Sequence, residues 1–275
     1  MAQVDLFDIL KLENSDIDFT GKSPISVEIT NSGGIFHKLI ESIPVEENLI
    51  TKATRFFCQE IGISGFFVFS LEKNIPSGAG LAGGSSDAAA AIRLLNTAVK
   101  LPEEKLLNVA RATGSDVPFH LAGGCSICEG TGDILEAIDI SLNYHVVLVM
   151  KTIHVNTGAA YKLLERTEDF HKQGENIDLL KTKLRHFAQT GSLKDINIFV
   201  NDFESVIFKQ YPELADIKAK LYKQGAVFAA MSGSGSTIIG LFDDEKKVHE
   251  TVKCLNSDAE DIRIAHFISS RVGFL

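Results

Sequence analysis

The order of strand-like and helix-like segments predicts an α+β fold in two parts, and three observations carry that expectation. Period-two and helical patterns follow one another without the strict alternation that builds a parallel α/β sheet. The pattern resets around Tyr144, where the apolar run His145 to Lys151 begins a second series of elements. The 275 residues, 45% hydrophobic and 23% charged, suffice for a substantial core in two domains or one large one.

In chain order, strand-like runs occupy Val4 to Leu12 and Ile25 to Thr30, and a helix with apolar residues at helical spacing runs from about Asn48 to Ile61. A strand from Phe66 to Glu72 enters a glycine-rich loop, after which Ala88 to Ala91, Ile92, Leu94 and Leu95 supply strong helix formers and an apolar face. Leu101-Pro102-Glu103-Glu104 starts another helix, with proline and acids in its first turn. Asp116 follows on a Gly-Ser turn, where Val117 and Pro118 prevent simple extension of that helix. A strand pair is expected near Cys125 to Ile138. The second part reads strand, several helices, strand Ala226 to Met231, strand Ser236 to Phe242, helix Glu245 to Leu255, strand Ile262 to Phe267, an order compatible with a split β-α-β sheet. Arg166 to Glu175 is the most polar stretch and reads as a surface loop.

Lys and Arg minus Asp and Glu give 27 − 36 = −9, which argues against broad nucleic-acid or membrane-surface binding. Apolar runs such as Val146 to Met150 fall far short of the ~20 residues that span a bilayer. Met1 to Asp5 shows no basic or apolar leader pattern, so a cytoplasmic location is expected. Among the four cysteines, Cys125 and Cys128 form a CxxC in an apparent strand. Positions three apart point to opposite faces there and no second pair completes a zinc set, so buried reduced thiols are expected. None of the eight histidines pairs at helical spacing or clusters with acids, and His120 and His154 read as structural; no protein-held metal site is expected.

Pro76-Ser77-Gly78-Ala79-Gly80-Leu81-Ala82-Gly83-Gly84-Ser85-Ser86 reads as an anion-binding loop feeding a helix. Glycines let backbone approach a ligand closely, and the unpaired N–H groups of a first helical turn favour negative charge. A nucleotide phosphate is therefore the first ligand to consider. No Lys follows the last glycine, which excludes a Walker A loop, and no suitably placed acid follows to complete a dinucleotide fingerprint. Asp87 reads as a first-turn acid that satisfies helix N–H groups. Gly233-Ser234-Gly235 reads as a second tight turn between strands, though a hairpin with a bulge would look similar.

Three segments resemble the GHMP kinases, in that family's order and with similar spacing along most of the chain: the Pro76 to Ala89 loop, Gly114-Ser115-Asp116-Val117-Pro118-Phe119, and Met231-Ser232-Gly233-Ser234-Gly235-Ser236-Thr237. The third glycine and the Asp after the serines resemble the branch that acts in non-mevalonate isoprenoid precursor synthesis. The resemblance implies an N-terminal ATP-binding domain over residues 1–146 with a ribosomal-protein-S5-like fold, and a ferredoxin-like C-terminal domain over 147–275. It implies phosphoryl transfer from ATP, with Mg²⁺ bound alongside the nucleotide, to an alcohol on a small-molecule substrate. Asp116 would be the catalytic base, and Gly233, Ser234 and Gly235 would close over the nucleotide. Taken locally, Asp116 also reads as a turn or cap residue.

Two departures accompany the resemblance. Ala82 stands where the family usually has glycine, a mild change at negative φ and a costlier one at positive φ. The Pro-Ala-Lys strand and Gly-Tyr-His segment with which members open do not occur, and Met1 to Glu13 resembles the strand that follows them. Either the start lies upstream, or the site lacks a lysine beside Asp116. The alternatives are thus another GHMP kinase, of mevalonate or homoserine type, and a catalytically silent nucleotide binder. Oligomeric state is not encoded in any motif.

Overall fold

The computed structural model describes residues 1–140, 143–165, 177–190 and 199–268, and Arg166 to Glu175 lies outside them. The fold is α+β, as the element order predicts. Its first sheet has the order β2-β4-β3, from β2 (Ile9–Asp18), β3 (Ile25–Gly33) and β4 (Ser64–Glu72). β4 runs antiparallel to β2 and parallel to β3. The β3-to-β4 crossover carries α1 (Lys38–Ser42) and α2 (Leu49–Ile61). Asn48 caps α2 by accepting from the Ile50 N–H at 2.9 Å.

Three helices follow: α3 (Gly83–Val99), α4 (Glu103–Thr113) and the short α5 (Val117–Ala122). Phe67, Phe69 and Leu71 on the inner face of β4 pack against Ile50 and Phe57 of α2, Ala88 and Ile92 of α3, Leu106 of α4 and Val117 of α5, all buried. At about 25 cal/mol per Å² of apolar surface, this cluster supplies the principal driving force for the first part of the chain. α5 was not expected. Pro118 blocks continuation of α4 yet suits the first turn of a new helix, because its ring fixes a helical φ and lacks only an N–H that needs no partner there.

A two-stranded hairpin, β5 (Ser126–Glu129) with β6 (Ile134–Ala137), leads to β7 (His145–Met150). The second sheet has the order β1-β10-β7-β9-β8, with every neighbouring pair antiparallel. Its further members are β8 (Phe228–Met231), β9 (Ile238–Phe242), β10 (Asp261–Ile268) and the two-residue β1 (Gln3–Val4). Four of them, in spatial order 10-7-9-8, make the expected split β-α-β arrangement. Helices α6 (Thr157–Leu164), α7 (Ile177–Thr190), α8 (Glu204–Gln210), α9 (Pro212–Lys223) and α10 (Glu245–Leu255) complete this part.

β7 is buried on both faces, which explains its unbroken apolar run. Val147 and Val149 meet Leu214, Leu221 and Val248 beneath the helices. Val146 and Leu148 face the other way, into a small cluster with Leu241 and Ala265 that also takes Leu81 of the glycine loop.

The expected single strand from Val4 to Leu12 is instead two strands in two sheets. Acids at both ends of the crossing segment hold the switch. Asp5 accepts from the His266 N–H of β10, and Asp8 accepts from the Asn74 and Ile75 N–H groups beyond β4. No helix among the described residues is long and apolar enough to cross a membrane.

Candidate nucleotide-binding and catalytic site

β4 delivers the chain into the loop Pro76 to Ala82, and α3 starts directly at Gly83. Ala82, the residue before the helix, has φ +52, the costlier case for a side-chain-bearing residue, roughly 1–2 kcal/mol of strain. No side chain caps this helix end. Its first N–H groups, those of Gly83, Gly84 and Ser85, have no acceptor within the helix by its geometry, and the positive end of the dipole lies behind them. The Ser86 hydroxyl donates to the Gly83 carbonyl at 2.7 Å, leaving its own lone pairs for another partner.

The structure brings the two glycine-rich segments into direct contact. The Ser232 hydroxyl donates to the Gly80 carbonyl at 2.8 Å, and the Thr237 N–H donates to the Ala79 carbonyl at 3.1 Å. The apposition is backbone on backbone at Gly80. A Cβ there would lie 2.0 Å from the Ser232 carbonyl oxygen and about 3 Å from Gly235 backbone atoms, and φ is +77. Ser234 is buried, its hydroxyl 2.8 Å from that of Thr157 at the start of α6. Asn201 supports the second segment from below, its side-chain amide donating at 2.7 Å to the Met231 and Gly233 carbonyls.

Asp116 occupies the N-cap position of α5 without bonding any helix N–H through its side chain, so the cap reading does not hold. It is half-buried, and burial raises its carboxyl pKa above the ordinary value. The turn of the β5–β6 hairpin lies beside it, since a Cβ on Gly132 would sit 3.7 Å from Asp116 Oδ1. α5 packs on α3, Val117 sharing its core with Ala88 and Ile92.

The first-turn reading of Asp87 is also corrected. Its carboxylate is buried and bonds the Lys73 ammonium at 2.7 Å, and the same ammonium pairs with Asp8. Burial raises the Asp87 pKa; Lys73 offsets this and the nearby Asp8 adds to it. A charge at the fifth residue of α3 points sideways into the protein, out of reach of the first-turn amides. Lys73 and Asp8 escaped the sequence reading altogether. Their one visible signal is a lysine that closes a buried strand just ahead of the loop, and nothing local to it reveals an acid 65 positions earlier in the chain.

His154 is exposed, and its ring lies against Gly78, where an added Cβ would come 2.3 Å from Nδ1. His120, by contrast, is enclosed: its Nε2 has no partner among the described residues, it stacks edge-on to Phe119 at 5.2 Å, and burial lowers its pKa to about 4. Cys125 and Cys128 are half-buried free thiols that burial holds above the usual pKa. Lys11 lies exposed on β2.

Comparison with known proteins places these features in a family. Residues 48–124 match the GHMP kinases N terminal domain, and residues 175–261 match the GHMP kinases C terminal domain. The chain is 37% identical over 243 residues to 4-diphosphocytidyl-2-C-methyl-D-erythritol kinase of Chlorobium chlorochromatii, covering 87% of this chain and 80% of that protein. It is 35% identical over 261 residues to the protein of the same name from Solibacter usitatus, covering 92% and 77% respectively. A crystal structure of 4-(cytidine 5'-diphospho)-2C-methyl-D-erythritol kinase superposes with a TM-score of 0.71 at 26% identity, over 98% of this chain and 89% of that one. Homoserine kinase from Cytophaga hutchinsonii superposes with a TM-score of 0.73 at 17% identity, over 98% and 89%, and so shares the fold.

Proposed function

The chain belongs to the GHMP kinases, and from that premise we propose that it transfers the terminal phosphoryl group of ATP to the 2-hydroxyl of 4-diphosphocytidyl-2-C-methyl-D-erythritol, a step of non-mevalonate isoprenoid precursor synthesis. The observation that carries this reading is the joining of the Pro76 to Ser86 and Ser232 to Thr237 segments, through the Gly80 backbone, at the uncapped start of α3. The sequence relatives above favour this substrate over the other alcohols used by the fold. The two units of the reading meet near residue 146, at the start of β7.

Phosphoryl transfer asks the protein mainly to position groups and neutralise charge. The amides of Gly83, Gly84 and Ser85 would receive the phosphate oxygens, with loop residues from Pro76 to Ala82 and the Gly233-Ser234-Gly235 turn enclosing the nucleotide. Asp116 would accept the proton of the attacking hydroxyl as the new O–P bond forms and the γ-phosphorus parts from the bridging oxygen that leaves with ADP, and a carboxyl raised by burial is a better proton acceptor than an exposed one. The Ser86 hydroxyl oxygen fits a hard cation, whereas no cluster of three His, Cys, Asp or Glu residues among those described could hold one. Mg²⁺ arriving with the nucleotide would neutralise phosphate charge there.

ADP release measured with Mg-ATP and the cytidylyl methylerythritol substrate, beside mevalonate and homoserine, tests the proposal. Turnover of the cytidylyl substrate alone supports it. Turnover of another alcohol alone, or calorimetric ATP binding with no turnover of any, would overturn it.

A further inference from the structure

Beneath the start of α3 lies a buried arrangement of one base and two acids that the proposed chemistry does not use. Lys73 is 3% exposed and Asp87 5%. The ammonium bonds Asp87 on α3 and Asp8 on the segment before β2, while Asp8 Oδ1 also accepts from the N–H groups of Asn74 and Ile75. One cation thus ties together the strand that enters the loop, the helix that leaves it, and the chain that crosses between the sheets.

Stability alone gives little reason for such a cluster. Buried ion pairs are often neutral or worse for stability than apolar groups of similar size, and the unequal number of acids and bases makes this one costlier. Its location gives a reason. An added Cβ at Gly83, the first residue of α3, would lie 3.2 Å from Lys73 Nζ and 2.8 Å from Ile75 Cγ2. The ammonium therefore sits against Gly83, the first of the residues whose amides are assigned to the phosphates.

We propose that Lys73 is a positioning residue for the nucleotide phosphates: anchored by Asp8 and Asp87, it clamps the first turn of α3 in place and so fixes the direction of its amides. The inference rests on the nucleotide reading of this loop.

The test must separate positioning from mere support of the fold. Lys73→Met leaves two acids buried without their cation, so it is paired with the compensated variant Lys73→Met/Asp8→Asn/Asp87→Asn, in which no unpaired charge remains. Both are compared with the unaltered protein by cooperative thermal unfolding, by calorimetric affinity for Mg-ADP, and by separate KM values for ATP and the alcohol. The expected result for the compensated variant is near-normal unfolding with ATP KM and Mg-ADP Kd both raised about tenfold or more, while the alcohol KM stays within about twofold. Recovery of nucleotide affinity together with stability would overturn the proposal, because Lys73 would then serve the fold alone. Asp8→Asn gives a second test should the compensated variant fail to fold, since it keeps the ammonium and loosens one anchor. A two- to fivefold rise confined to the nucleotide constants supports the proposal, and wild-type constants would overturn it. Failure of the unaltered protein to bind Mg-ADP would instead defeat the nucleotide reading, and this inference with it.

Discussion

Replacing Gly80 with alanine strikes the place where the backbones of the two glycine-rich segments lie closest. The new methyl carbon would lie 2.0 Å from the Ser232 carbonyl oxygen, against an ordinary contact of about 3.4 Å, so the strands of the loop must part by more than an ångström. Parting them breaks the Ser232-to-Gly80 and Thr237-to-Ala79 hydrogen bonds, at about 1 kcal/mol each. Holding alanine at φ +77 adds about 1 kcal/mol more. Rebuilding the site around a nucleotide must then supply about 3 kcal/mol, a loss on the order of 100-fold in affinity. Calorimetric titration with Mg-ADP reads the affinity, and thermal unfolding reads whatever part of the cost falls on the fold. An unchanged Kd together with an unchanged midpoint would refute the reasoning.

Gly84→Ala makes the opposite case: only Leu49 Cδ1, at 3.6 Å, approaches the new methyl, so the protein should gain about 0.5 kcal/mol in urea denaturation. Its Mg-ADP affinity should nevertheless fall at least about tenfold, because the space is kept for the ligand. Asp116→Asn should lower kcat by about 10²- to 10⁴-fold with nucleotide Kd nearly unchanged in the same titration. In the unaltered enzyme kcat/KM should rise with pH as Asp116 ionises, over a limb displaced above the usual carboxylate range, and that limb should be absent from the variant. His120 is held neutral, its pKa near 4 against 6.5 for a free imidazole, so the unfolded chain takes up this proton first as pH falls. The resulting stability is complete above about pH 6.5 and is lost progressively toward pH 4, by at most about 3 kcal/mol. Chemical denaturation of His120→Phe should lack that part of the acid destabilisation.

Much of the site was legible because its parts are local. A run of glycines and serines ahead of an alanine-rich helix points to a backbone anion site from composition alone, and the unbroken apolar runs around Val147 and Leu241 mark their strands. Gly-Ser-Asp at 114–116 needed the family pattern, since a turn and a catalytic carboxylate use the same three residues. What stayed hidden is long-range. The positive φ at Ala82 runs against alanine's own preference, so no local signal in the sequence announces it. Asp87 looks like a helix-start acid until Lys73 is seen beside it, and that contact depends on where β4 ends relative to α3. The division of residues 3–18 between two sheets was equally invisible, because period-two patterning says that a strand exists and not which sheet receives it.

That division bears on the order in which the molecule assembles. β1 contributes only two residue pairs to the second sheet, Gln3 with Ile268 and Val4 with Phe267. Bringing those ends together in an otherwise open chain means closing a loop of roughly 260 residues, at about 5 kcal/mol of chain entropy. Two residue pairs cannot repay that, so the pairing waits until the cores around β4 and β7 have formed and the gap to be closed has become short. It is a finishing stitch in folding, and in native-state hydrogen exchange its amides should be among the first of the second sheet to open.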